Sequence, residues 1–226
     1  MENLIQYLSQ FVSPNRFTQM QQVVKNRTEY VVPVLEDIEQ PQNASAVIRT
    51  CDCLGINKLC VIENKNEFGI YKDIVRGSTK WVDIKRYNTK PNNTIECLTD
   101  LKKQGYRILS TLPRKEAKKL SQVDINKGKC AVVFGSEPTG ITKNVADMSD
   151  EFITIPMCGF TESLNLSVSV AVVLYTLKQA AITNGIKDFF LNTQQQNILM
   201  LSWLKKCIAM STEIINRYNL EHGTNF

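Results

Sequence analysis

Apolar positions along this chain follow two alternating rhythms. The runs "KLCVIE", "VDIKRY", "RILSTL", "KCAVVFG" and "EFITIPM" are short and β-rich, as is "YVVPVLEDI", and they predict strands. Between them lie helical periods. In "NASAVIRTCDCLG", Ala44, Val47, Ile48, Cys51 and Leu54 recur at helical spacing, Arg49 and Asp52 share the polar side, and Gly55 is a natural C-cap. "TIECLTDLKKQGY" predicts a helix closed by Gly105, and a polar helix is expected between "KCAVVFG" and "EFITIPM". Residues 2–27 read as helical with a break at "SPN", where Ser13 or Asn15 can cap a second helix entering at Arg16. The helix beginning near Ser163 is apolar nearly all round, through Val168, Ala171, Val172, Leu174 and Tyr175. Such a helix is buried on several sides, in a core or across an oligomer interface. After the polar linker "NTQQQN", one last helix carries Leu201, Leu204, Ile208 and Ile215 on one face.

Strands and helices alternating at this pace imply an α/β fold: a mostly parallel sheet with helices on both faces. The expected divisions are an N-terminal helical extension over 1–28, the α/β domain over 29–182 and a C-terminal helical extension over 183–226. Ligands of such sheets bind outside the carboxyl ends of the strands. Three loops leave strands there: "STLPRK", "GSEPTGIT" and "IPMCGFTESLN". No G-x-G-x-x-G follows the first strand, which argues against a standard dinucleotide site.

The second loop invites a phosphate-binding reading, because four residues separate Gly135 from Gly140 in "VVFGSEPTGITK". A P-loop requires Lys-Ser or Lys-Thr directly after the second glycine. Here Ile141 and Thr142 follow, Lys143 comes too late, and Glu137 places a carboxylate where polyphosphate would sit.

Composition narrows the classes further. With 226 residues, 43% hydrophobic and 22% charged, the chain resembles an ordinary globular protein. The apolar run Val168 to Leu177 falls short of the roughly 20 residues that span a bilayer, so no membrane is expected. "MENLIQYLSQ" lacks a basic n-region, so no signal peptide is expected. Seven scattered cysteines, an odd number, read as reduced thiols in the cytoplasm. A single C-x-C (Cys51, Cys53) with one histidine, His222 in the tail, predicts no metal site and removes Ser-His-Asp and Cys-His chemistry. Net charge is +5, but Lys72 to Lys129 holds fifteen Lys/Arg against six Asp/Glu. That asymmetry points to a face for a polyanion, with solvated helix charges as the alternative.

Three segments taken together, "NASAVIRTCDCLGI", "VVFGSEPTGIT" and "IPMCGFTESLNLSVSVAVVLY", resemble the three motifs of the SpoU branch of the SPOUT RNA methyltransferases. The resemblance extends over "RFTQMQQVVKNR", "RGSTKWVDI", "ILSTL" and "LSWLKK". It implies a C-terminal trefoil knot over about residues 130–182, which the rule against threaded connections would not have allowed. It implies S-adenosylmethionine as methyl donor, bound near Thr111, Gly135, Ile155 and Leu164, and a homodimer packed around the Ser163 helix. It implies 2′-O-methylation of a tRNA ribose by Asn43, Arg49, Glu137, Ser163 and Asn165, with Glu137 anchoring the others.

Within the branch, the terminal helices and "GSTKWV" point to guanosine-18 in the D loop of tRNA. Another tRNA ribose, ribosomal RNA, and a non-catalytic RNA-binding relative are the alternatives. Phosphate contacts are expected from Arg16 and Arg27 of the N-terminal extension and from Lys80 and Arg86 of the basic stretch. Plainer roles stand beside the catalytic ones. Asn43 can be a helix N-cap, Ser163 and Asn165 can cap the buried helix, and Arg49 can be a solvated side chain. For Arg49 two chemical roles are open. It is the general base in family-level proposals, yet a guanidinium stays protonated with a pKa above about 12, which favours phosphate positioning.

Overall fold

The computed structural model describes residues 1–112 and 117–225, so residues 113–115 of the "STLPRK" loop, and with them Arg114 and Lys115 of the basic stretch, lie outside the described residues. The chain forms two compact units: Thr28–Phe189, and a helical unit in which Met1–Arg27 and Phe190–Phe226 come together. The two terminal extensions therefore cluster as one body. The C-terminal boundary moves from 183 to 190 because Phe189 is buried in the core of the larger unit.

In the helical unit, α1 (Glu2–Ser9) and α2 (Pro14–Val24) are separated at the expected break. Ser13 is the cap, its hydroxyl accepting from the Arg16 amide at 3.3 Å, and Pro14 occupies the first turn, where its missing N–H is harmless.

The larger unit is a seven-stranded sheet of β1 (Val31–Glu36), β2 (Lys58–Ile62), β3 (Asp83–Tyr87), β4 (Arg107–Thr111), β5 (Lys118–Lys119), β6 (Cys130–Phe134) and β7 (Glu151–Thr154). Every pairing is parallel and the order is β3-β2-β1-β6-β4-β7-β5. Buried on both faces, β6 reads as an unbroken apolar run and β1 as an apolar run closed by Glu36. One face packs Leu35, Leu59, Leu109, Val132 and Phe134 against α3 (Pro41–Leu54) and α7 (Leu166–Thr183). The other packs Val34, Ile62, Ile108 and Val133 against α5 (Asn93–Lys103) and Val145 of α6 (Lys143–Met148). A short helix, α4 (Lys72–Val75), follows β2, and the two-residue β5 lies on the edge; both are too short to leave a periodic signature.

Helix α7 begins at Leu166 rather than Ser163. Its N-cap is Asn165, whose Oδ1 accepts from the Ser167 amide at 2.9 Å. By length and composition it could cross a membrane, yet Val170, Val173, Leu174, Leu177 and Ala181 lie in the protein core. The opposite side is different. Val168, Val172, Tyr175 and Ile182, all exposed, fall on one helical stripe.

The expected single last helix is two, α8 (Thr193–Cys207) and α9 (Ser211–His222). Ile208 leaves the helix in extended conformation and Met210 takes a φ of 56°, so α9 turns back. That reversal sets Tyr218 against Tyr7 with ring centroids 4.9 Å apart, which one straight helix could not do. Trp203 is buried at the centre, and the Arg27 guanidinium lies 5.2 Å from the centroid of its ring.

Arg27 is thus 1% exposed, and the expectation of a phosphate contact there is corrected. Its chain packs and its cation faces an aromatic ring, an arrangement worth about 2 kcal/mol when desolvated. Arg27→Ala should lower the unfolding free energy of the helical unit by about 1–3 kcal/mol, read from urea midpoints. An unchanged midpoint with a weaker salt dependence of RNA binding would restore the phosphate reading.

Candidate active site

The carboxyl ends of β4, β6 and β7 open into a cavity of about 660 Å³. Thr111 ends β4, Gly135 follows β6, Ile155 follows β7, and Ser163, Leu164 and Asn165 close the remaining side before α7. Asn43 and Gln40 reach it from the first turn of α3. All four residues expected to hold a cofactor, and four of the five expected to act chemically, therefore line one space. The fifth, Arg49, does not.

Glu137 is the hub of the polar side. Its Oε1 accepts from Asn43 Nδ2 at 2.9 Å, and its Oε2 accepts from the Glu39 amide at 3.3 Å. Asn43 in turn accepts from Asn165 Nδ2 at 3.1 Å through its Oδ1. With Oδ1 and Nδ2 both engaged, the orientation of the Asn43 amide is set by its partners. The N-cap reading of Asn43 is corrected: α3 starts with Gln40 as cap and Pro41 in its first turn, so Asn43 already lies inside the helix. For Asn165 the two readings coexist. Its Oδ1 caps α7 while its Nδ2 reaches Asn43. Ser163 caps nothing; it is an exposed loop residue on the cavity wall.

The glycine-bounded loop is closed on itself. Ser136 N–H donates to Gly140 O at 3.1 Å and Gly140 N–H returns to Ser136 O at 2.9 Å, so these amides are unavailable to a phosphate. At Gly135 a Cβ would stand 2.1 Å from the Gly140 carbonyl carbon, a distance only glycine avoids. Gly140 itself has a φ of +67°. The loop is thereby a tight backbone wall, with Glu137 at its outer turn.

Several residues that shape this site carried no sequence signal. Gln40 lines the cavity and its Oε1 accepts from Asn43 Nδ2 at 3.3 Å. Glu36, 1% exposed at the end of β1, accepts from Thr94 Oγ1 at 2.7 Å, Thr142 Oγ1 at 2.8 Å and the Thr142 amide at 3.0 Å. It ties the far end of the glycine loop to the first strand. A charged residue closing an apolar run reads as a boundary, so only the fold discloses this anchor.

Arg49 stands six residues beyond Asn43 on α3, about 9 Å along the axis and about 120° around it. It is exposed and lines a separate depression with Ala46, Cys53, Ile74, Val172 and Tyr175. This depression adjoins the exposed stripe of α7, through Val172 and Tyr175. Of the other expected phosphate contacts, Arg16 and Lys80 are exposed. Arg86 is exposed too, but its fork is committed to Glu63, with Nε to Oε1 and Nη2 to Oε2 both at 2.7 Å.

Known proteins resemble this chain in sequence and in fold. The family model for the SpoU rRNA methylases matches residues 30–175. A tRNA (guanosine(18)-2′-O)-methyltransferase of Borreliella burgdorferi is 36% identical over 212 residues, which cover 94% of this chain and 94% of that protein. The crystal structure of the A. aeolicus TrmH/SpoU tRNA modifying enzyme superposes with a TM-score of 0.77 at 25% identity, covering 86% of this chain and 98% of that one. A more distant SpoU methyltransferase, AviRb from Streptomyces viridochromogenes, solved in complex with the cofactor AdoMet, shares the fold: TM-score 0.56, 19% identity, 72% of this chain and 62% of that one. The strand-end cavity with its asparagine–glutamate network, and a family match that spans most of the sheet carrying it, lead to one conclusion: this chain belongs to the SpoU methylase family.

Proposed function

We propose that this protein is a tRNA 2′-O-methyltransferase that transfers a methyl group from S-adenosylmethionine to the ribose of guanosine-18. The observation that carries the reading is the cavity at the ends of β4, β6 and β7, together with 36% identity over 94% of the chain to a relative bearing that name. Its setting is cytoplasmic, where tRNA is made and used. A trefoil knot over residues 130–182 belongs to the same reading, supported by the insertion of β6 between β1 and β4.

The cavity fits the cofactor in chemistry. Gly135 lets the loop fold back on Gly140 and so builds a tight backbone wall beside the cavity, and Ile155 and Leu164 offer apolar walls. Thr111, Gly135, Ile155 and Leu164 would hold it. The bound cofactor supplies a methyl group made electrophilic by its sulfonium. The chain supplies orientation. Glu137 holds Asn43, Asn43 holds Asn165, and Ser163 shares their wall, so a ribose hydroxyl entering there meets a preset polar surface.

Arg49 completes the site from a second subunit in this reading. The stripe of Val168, Val172 and Tyr175 beside it is apolar and exposed, as the face of a homodimer would be. Burying each such side chain contributes about 1.5–3 kcal/mol. A guanidinium delivered across that face would grip a phosphate of the RNA with its fork, stabilising the reacting geometry by charge.

Two outcomes are expected. Gly135→Ala should remove S-adenosylmethionine binding in calorimetry while leaving the oligomeric state in sedimentation unchanged. Retained affinity would mean the loop is not the cofactor wall. Arg49→Ala and Asn43→Ala should each lose at least about 100-fold in turnover on tRNA, in line with removal of a preorganised contact. Mixing the two variants should restore activity, because a mixed dimer then holds one site with both residues. Mixed dimers as inactive as the parents would place Arg49 in its own subunit's site.

A further inference from the structure

Phe160 is the most exposed large apolar side chain among the described residues, at 109% relative exposure. It sits midway along the loop between β7 and α7, the loop that also supplies Ile155, Met157, Glu162, Ser163 and Leu164 to the cavity wall. A Cβ built at the adjacent Gly159 would meet nothing within 4 Å, so the tip of this loop stands in open space. Singly exposed apolar side chains are common at protein surfaces, and Phe160 is set apart by its place at the tip of a loop that walls the cavity.

The sequence around it separates the possible occupants. From Glu151 to Thr176 there is no lysine or arginine, and Glu162 adds an acid, so the loop is not a grip for phosphates. A protein partner is disfavoured as well. The neighbours Cys158, Gly159, Thr161, Glu162 and Ser163 are exposed and mostly polar, whereas an apolar interface needs a contiguous patch of several residues. A single planar ring among polar neighbours matches the face of a splayed nucleobase, the way proteins commonly hold single-stranded RNA.

We propose that Phe160 stacks on the nucleobase adjoining the ribose that enters the cavity, holding that nucleotide out of its own stack for transfer. The inference rests on the RNA-methylating function and adds a substrate contact to it. Stacking tolerates every base, so Phe160 contributes affinity and placement, and base identity must be read elsewhere.

The test compares Phe160→Ala, Phe160→Leu, Phe160→Tyr and Phe160→Trp in methylation of unmodified tRNA transcript. The alanine and leucine variants should raise KM for tRNA about 5- to 150-fold with kcat little changed, and tyrosine or tryptophan should restore it. Affinity for S-adenosylmethionine and the sedimentation coefficient should stay as in the parent. Tryptophan emission specific to the Phe160→Trp variant should be quenched by tRNA and not by the cofactor. An unchanged KM, or leucine serving as well as tyrosine, overturns the stacking role. A loss of cofactor affinity would mark the ring as a cover for the cofactor, and a shift to monomer would mark it as a subunit contact; either overturns the proposal. A parent protein that methylates no tRNA overturns the functional reading itself, and this inference with it.

Discussion

A carboxyl group buried at the end of the first strand organises the cavity at the carboxyl ends of this sheet. Glu36 is surrounded by core on a strand buried along its whole length, and a carboxyl group in such a place demands donors. Thr94 and Thr142 supply them, one from the start of α5 and one from the N-cap of α6. The glycine loop runs between β6 and Thr142, so both its ends are held. Only then can the close approach of Gly135 to Gly140 be kept, since that contact leaves no room for adjustment. Glu137 inherits its position from this frame, and through it Asn43 and Asn165 inherit theirs.

The same anchoring separates two kinds of site residue. Asn43, Glu137, Ser163 and Asn165 gather within one unit because the loop after β6, the start of α3 and the loop before α7 all meet at the carboxyl ends of the strands. Arg49 is excluded by simple helix geometry. A residue six positions from Asn43 cannot share its face, and the apolar stripe it adjoins needs covering. Those two facts support the proposed arrangement, in which Arg49 would serve the site of a second copy across that surface. The apolar run that suggests a membrane span by composition is then put to a different use. One side of α7 builds the core, and the other is available to a second copy.

Charge also sorts itself by place. The basic excess between Lys72 and Lys129 is partly neutralised within the fold, as the Arg86 fork on Glu63 and the Lys85–Asp100 pair at 3.0 Å illustrate. The Lys85–Asp100 pair is exposed and adds little stability, whereas the Glu63 carboxylate is 6% exposed and is held bidentately by Arg86. Both pairs reduce the number of cations left to meet a phosphate backbone. Arg27 leaves the surface altogether for Trp203. A count of lysines and arginines along the chain therefore overstates the electrostatic face that RNA would meet.

By itself the sequence determined the α/β alternation, since strand and helix periods are local and the caps at Ser13 and Gly55 are written in single residues. It also singled out Asn43, Glu137, Ser163 and Asn165, because they stand in segments that resemble the SpoU motifs. Tertiary structure decided what those residues touch. Whether Asn43 capped a helix or accepted from Asn165 depended on where Pro41 started α3, and no local pattern specifies that. The split of the last helix into α8 and α9 came from packing of Tyr218 on Tyr7, residues more than two hundred positions apart. Glu36, Gln40 and the fate of Arg27 were equally hidden, for one physical reason. A polar side chain in a sequence declares its chemistry but not its burial, and burial is set by elements that meet only in the folded chain.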